Sequence, residues 1–169
     1  MLVWLLRHWL IAALAVSAAM LLAAHGFERL GYAPCTLCFR QREVYWAAGA
    51  IAGVALLLQA AIRRVLVFQA AAVFLGLAFL TGAVVAAYHA GVEWKFWPGP
   101  PTCSAGGALG SILDALDKPL HAARCDEAAW RLLGLSMAGY NALISLLLAG
   151  LSFWAAAAPR AGEDNGRGD

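Results

Sequence analysis

Four long apolar runs set what this chain can fold into. They cover roughly Trp9–Ala24, Val44–Ala61, Val65–Ala87 and Gly134–Ala158, and none contains an Asp, Glu, Lys or Arg. A helix needs about 20 residues to cross the hydrocarbon core of a bilayer. Inside that core every backbone N–H and C=O must be satisfied within the helix. Runs of this length therefore predict membrane-spanning helices. The first is short at sixteen residues, and extending it to Leu5 or Gly26 brings it to span length. Its competing reading is a cleaved signal peptide, with Arg7 in front and Leu22-Ala23-Ala24 as the small-residue site. Trp4, Trp9 and Met20 fit a retained helix with interfacial aromatics better. At 63% hydrophobic and 13% charged residues, the chain is far from the roughly 25% charged content of soluble domains. The expectation is an all-α membrane protein, a four-transmembrane-helix bundle forming one domain over 1–158, with a polar tail at 159–169. A net charge of +2 without a basic run argues against nucleic-acid binding.

The connections differ in character. Two loops, about 25–38 and 90–133, flank a tight turn near Ala61–Arg64, and the second loop holds most of the charge. Within it Leu109, Ile112, Leu113 and Leu116 recur at helical spacing before Lys118-Pro119. This predicts a short amphipathic helix lying in the membrane interface or on the bundle. Two crossings separate the two loops, so they share a side. The charge rule for cytoplasmic loops does not choose that side: Arg7, Arg63, Arg64, Arg160 and Arg167 stand against seven basic residues opposite.

All four cysteines fall in those two loops. Pro34-Cys35-Thr36-Leu37-Cys38 precedes the second apolar run, and Cys103 and Cys125 lie in the long loop. Stable disulfides belong to oxidising compartments, which places both pairs outside the cytoplasm. If the second helix begins near Cys35 or Thr36, both sulfurs sit in its first turn. Unpaired N–H groups and the helix dipole favour a thiolate there. Arg42, four residues after Cys38, shares its helical face; it is placed to stabilise that thiolate or to polarise an electron-accepting carbonyl. A half-zinc site is the rival for the Cys-x-x-Cys, but Cys103 and Cys125 lack matching spacing, so redox chemistry is favoured and no metal is expected. Alone, Cys103 and Cys125 read as a structural staple. Beside a Cys-x-x-Cys on the same side they read as an exchangeable disulfide. His89 is either a helix-end hydrogen bonder or a contact to a headgroup or cofactor. Trp94, Phe96 and Trp97 read as an interfacial belt, and Glu28 and Glu43 as surface or helix-start acids.

The segments Gly31-Tyr32-Ala33-Pro34-Cys35-Thr36-Leu37-Cys38 with Gln41-Arg42, Tyr88-His89-Ala90-Gly91-Val92-Glu93, and Trp97-Pro98-Gly99-Pro100 leading to Cys103 carry a resemblance. With Cys125, Leu133-Gly134-Leu135-Ser136-Met137-Ala138 and Asn141, the chain resembles the disulfide bond formation protein B (DsbB) family of bacterial inner-membrane thiol oxidases. The resemblance implies a four-helix bundle that binds ubiquinone or menaquinone near the Cys-x-x-Cys. It implies that Cys103–Cys125 oxidises a periplasmic thioredoxin-like protein of the DsbA type. Electrons then pass to Cys35–Cys38 and on to the quinone, a route that keeps the bacterial periplasm oxidising. On the same basis Cys38 is the thiolate at the quinone ring, Arg42 its stabilising cation and His89 a ring neighbour. Two other readings compete. One is a reductase of the vitamin K epoxide reductase type, whose redox pair lies late in the chain rather than before the second helix. The other is a non-enzymatic four-helix scaffold with structural disulfides.

Overall fold

A computed structural model describes residues 8–62, 64–104 and 124–158. In chain order the elements are α1 (Trp9–Arg29), α2 (Thr36–Ile62), α3 (Val65–Glu93), the one-turn α4 (Pro101–Ser104), β1 (Arg131–Leu132), β2 (Leu135–Ser136) and α5 (Met137–Ala157). Four of these are long and apolar enough to cross a membrane: α1, α2, α3 and α5. The amphipathic helix expected around Leu109–Leu116 and the tail at 159–169 lie outside the described residues.

The helices outrun the apolar runs. α1 continues to Arg29, α2 starts at Thr36 rather than near Val44, and α3 continues to Glu93. Hydropathy marks only the hydrocarbon slab, whereas a helix can continue into the headgroup layer, where long charged side chains reach water. The early start of α2 matters most, because it puts Cys38, Arg40, Gln41 and Arg42 on a helix.

The sequence ends these helices by local rules. Beyond α1, Gly31 adopts φ +95°, while Tyr32 N–H donates to Phe27 O and Gly31 N–H to Glu28 O. That is a Schellman stop, in which a left-handed residue suits glycine. α3 ends with the same bonds, Phe96 N–H to Gly91 O and Lys95 N–H to Val92 O, although Lys95 at φ +62° holds the left-handed position. At the start of α5, Ser136 accepts a hydrogen bond from Gly139 N–H at 3.2 Å, the usual N-cap arrangement. β1 and β2 pair antiparallel through the Leu133-Gly134 turn, where both residues have positive φ, as two-residue hairpin turns require.

α3 packs on α5 and on α2, and α2 also packs on α1. Small buried residues line these contacts: Ala48, Ala52, Ala55, Ala71, Ala72 and Ala149 surround the larger Trp9, Leu75 and Phe79. Lipid tails offer helices no hydrophobic drive to associate, so close backbone approach through small residues supplies the attraction. At Gly82 a Cβ would stand 3.0 Å from Val44 Cγ1. The outward faces remain apolar, with Leu22, Leu57, Leu66, Phe74 and Leu147 exposed, as suits contact with hydrocarbon. At one end Trp97 stacks on Tyr88 with ring centroids 5.9 Å apart and donates from Nε1 to Tyr88 O. Gly91 leaves room for it: a Cβ there would lie 2.0 Å from the indole.

Candidate functional site

The Cys-x-x-Cys begins α2. Cys35 is its N-terminal cap: its carbonyl accepts from Phe39 N–H at 3.1 Å, and its sulfur accepts from Cys38 N–H at 3.3 Å. A sulfur thus occupies the place of a serine oxygen at an N-cap, and the first-turn N–H groups and dipole favour negative charge there. The two sulfurs stand 2.8 Å apart, unbonded and closer than non-bonded contact, so only a small rotation separates dithiol from disulfide. The hydrogen bond to Cys38, helped by burial, pushes the Cys35 thiol well above the ordinary thiol range.

Behind the sulfurs runs a buried polar chain that crosses three helices. Tyr45 Oη donates to Asn141 Oδ1, and Asn141 Nδ2 donates to Gln41 Oε1. Gln41 Nε2 then meets His89 Nδ1 at 2.8 Å, and His89 Nε2 lies 3.6 Å from Cys35 Sγ. Because the Gln41 oxygen is already used by Asn141, its NH2 must donate to His89 Nδ1. That leaves the imidazole proton on Nε2, aimed at Cys35, by ordinary donor–acceptor accounting. Ser145 Oγ, 3.0 Å from the Tyr45 hydroxyl, closes the far end. Gln41, His89, Asn141 and Ser145 are all buried, and so is Glu93. Glu93 Oε1 stands 3.8 Å from His89 Nε2, while its Oε2 has no hydrogen-bond partner among the described residues.

The second pair lies against the first. Cys103 and Cys125 form a disulfide, with Cα atoms 5.3 Å apart. Cys35, Leu37, Val92, Cys103 and Cys125 pack as one buried cluster with Cys38 against it. Both pairs therefore occupy the same end of the bundle. Lys95 fixes the Cys125 strand from outside: Nζ donates to Asp126 O at 2.8 Å and to Asp126 Oδ2 at 2.7 Å. Lys95 and Arg124 together hold the Asp126 carboxyl down to about 2. The left-handed backbone at Lys95 aims its side chain at this loop, which accounts for a non-glycine residue in that position.

Arg42 departs from the simplest reading of its spacing. Its Nη1 pairs with Glu28 at 2.8 Å and its Nη2 donates to Ala24 O at 3.2 Å, which ties α2 to α1. The guanidinium remains the cation whose field reaches Cys38, and two of its five N–H donors are enough for those contacts. Glu28 is thus a partner for Arg42 rather than a free surface acid, and Glu43 pairs with Arg40 at 3.0 Å. An apolar groove of about 620 Å³ between α2 and α3 is lined by Leu37, Arg40, Val44, Val85 and Tyr88 among others, but by none of Cys35, Cys38, Arg42 or His89. The groove and the thiols therefore face different sides of α2, and the thiols rather than the groove define the site.

Single-residue reasoning passes over Tyr45 and Ser145 and takes Gln41, Glu93 and Asn141 only as parts of longer motifs. The available signal was polarity inside apolar helices. Gln41 with Tyr45, and Asn141 with Ser145, lie four residues apart on one face, and polar groups at membrane depth generally mark function.

The fold and site define a multi-pass membrane protein of four spans with paired cysteines at one end of its bundle, a dithiol/disulfide centre. The sequence matches the family described as Disulfide bond formation protein DsbB over residues 6–155. The chain belongs to that family, and membership makes it a thiol oxidoreductase of disulfide bond formation. No curated protein and no solved structure matches it.

Proposed function

We propose that this protein is a quinone-dependent thiol oxidase of the bacterial inner membrane, with both cysteine pairs facing the periplasm. Its substrate is the reduced form of a thioredoxin-like, DsbA-type protein. The observation that carries the reading is the packing of all four cysteines in one cluster, since thiol–disulfide exchange needs a thiolate in reach of a disulfide.

The exchange balances in three steps. A partner thiolate attacks the Cys103–Cys125 disulfide and forms a mixed disulfide, which the partner's second thiol resolves. The partner leaves oxidised, with Cys103 and Cys125 as thiols. Those thiols reduce the Cys35–Cys38 disulfide by the same exchange and regain their own bond. The Cys35–Cys38 dithiol then gives up two electrons and two protons and closes again. Ubiquinone or menaquinone supplies the two-electron, two-proton sink. Cys38 would be the thiolate that meets it, and Arg42 would stabilise the charge. The Nε2–H of His89, 3.6 Å from Cys35 Sγ, steadies the Cys35 sulfur when it is anionic.

The test is ubiquinone reduction by purified protein supplied with a reduced thioredoxin-like dithiol. Turnover in the wild type and its loss in Cys38→Ser are expected. No turnover with either ubiquinone or menaquinone, with all four cysteines locked as disulfides, would leave the scaffold reading standing.

A further inference from the structure

We propose that the reduced Cys35–Cys38 pair, together with His89, forms a binding site for a thiophilic divalent cation such as Zn2+, and that the bound cation blocks reoxidation of the pair. This goes beyond the oxidase reading and does not depend on the identity of the electron acceptor.

Cys35 Sγ, Cys38 Sγ and His89 Nε2 all lie within 4.8 Å of one another. Cys35 and His89 are buried, and Cys38 is partly so. Two sulfurs and an imidazole nitrogen are a zinc donor set, with Zn–S near 2.3 Å and Zn–N near 2.0–2.1 Å. To share a tetrahedral ion the sulfurs must part from 2.8 Å to about 3.8 Å, a movement of side chains alone. Two thiolates, a neutral imidazole and a divalent cation sum to zero charge, which suits a site at the edge of a low-dielectric bundle. The nearest carboxylate is Glu93. Its Oε1 is 3.8 Å from the same His89 nitrogen, and its Oε2 is buried without a partner among the described residues. Water is the fourth ligand that keeps the site neutral, with Glu93 beside it as a hydrogen-bond acceptor.

The polar chain makes the imidazole able to switch. Ligation needs a lone pair on His89 Nε2, so the ring proton must move to Nδ1 and donate to Gln41. Rotating the Gln41 and Asn141 amides by half a turn meets that need, since each exchanges a donor for an acceptor in place. The Tyr45 hydroxyl, set between Asn141 Oδ1 and Ser145 Oγ, then accepts from Asn141 and donates to Ser145. The chain is satisfied in both directions. One direction presents a proton to Cys35, and the other presents a nitrogen lone pair to a metal. A metal-bound histidine ordinarily donates its other N–H to such a second partner, and Gln41 fills that role. Ligation releases the protons of the dithiol and involves no electron transfer. Sulfurs held on a cation cannot also bond to each other, so cation binding and disulfide formation exclude one another.

The test uses full-length protein carrying Cys103→Ser and Cys125→Ser, reduced with a phosphine and titrated anaerobically with Co2+ and then Zn2+. One Co2+ per chain with a thiolate-to-cobalt charge-transfer band, displaced by Zn2+, is the expected result. Cys38→Ser should abolish the band. Gln41→Leu should weaken binding about tenfold to a hundredfold, the range seen for groups that orient a metal ligand, and His89→Ala, which removes a ligand, should weaken it at least as much. A reduced protein without the band, or one whose affinity is the same in His89→Ala, overturns the proposal. Unmutated protein supplies a second readout that no folding defect can mimic. Zn2+ should protect Cys35 and Cys38 of the phosphine-reduced chain from maleimide, and a chelator should restore labelling; labelling unaffected by saturating Zn2+ overturns the site. Neither readout involves quinone turnover, so failure of this site and failure of the oxidase reading are told apart.

Discussion

Gln41→Leu tests the polar chain most sharply, because Gln41 is the link between Asn141 and His89. Leucine keeps much of the volume and removes both polar ends. It strands Asn141 Nδ2, which donates to Gln41, and His89 Nδ1, which accepts from it. Interhelical hydrogen bonds in membrane proteins average about 0.6 kcal/mol and reach about 1.7. A buried group left unsatisfied in a water-soluble core loses roughly 1–3 kcal/mol. Two lost bonds at the membrane values put the cost at about 1.2–3.4 kcal/mol. The assay is reversible unfolding in mixed micelles, followed by circular dichroism, for wild type, Gln41→Leu, His89→Ala and the double variant, all with disulfides intact. If Gln41 acts on His89, the two changes share one lost bond. The double variant should then fall short of the sum by about 0.6–1.7 kcal/mol. Independent sites add to within about 0.3–0.5 kcal/mol, so additivity at that level would refute the chain as drawn.

Other consequences are as specific. Carbon-detected NMR of Asp126 should give a midpoint near 2, and Lys95→Met should move it up toward the ordinary carboxylate value. The sign follows from the depression: the ion pairs stabilise the loop above the usual carboxylate range and are lost only as pH falls toward 2. Gly91→Ala forces a Cβ into the Trp97 ring and should lower stability by about 1–3 kcal/mol in the same unfolding assay, as overpacking does. Arg42→Lys keeps the charge but not the fork that reaches both Glu28 and Ala24. It should raise the quinone KM in the turnover assay, and an unchanged KM would remove Arg42 from the site.

Much of this architecture is written in hydropathy. Apolar runs give four spans because the bilayer leaves the backbone no alternative to helix, and two crossings between the loops put both cysteine pairs at one end. Helix ends were less legible, since the apolar pattern stops at the hydrocarbon boundary while α1 continues to Arg29 and α3 to Glu93. Neither left-handed stop is singled out by the apolar pattern: Gly31 suits it by its missing side chain, whereas Lys95 holds it beside a tether to Asp126. Within the site, the Cys-x-x-Cys and its position at a helix start were readable from local sequence. The pairing of Arg42 with Glu28 was not, since it joins two helices across 14 residues. Nor was the order of the Tyr45–Asn141–Gln41–His89 chain, which depends on the way α2, α3 and α5 face one another.

The account turns on electrons crossing from one cysteine pair to the other inside that cluster, and thiol mapping in a single anaerobic turnover tests this directly. Fully oxidised, quinone-free protein is given one equivalent of a reduced thioredoxin-like dithiol, quenched by alkylation, and each cysteine is assigned by mass spectrometry. The prediction is that label collects on Cys35 and Cys38, that in Cys35→Ser, where the unpaired Cys38 is labelled throughout, the label gained on adding the dithiol appears on Cys103 and Cys125, and that ubiquinone clears the label from the wild type. Label that stays on Cys103 and Cys125 in the wild type, and persists after ubiquinone is added, would contradict the relay.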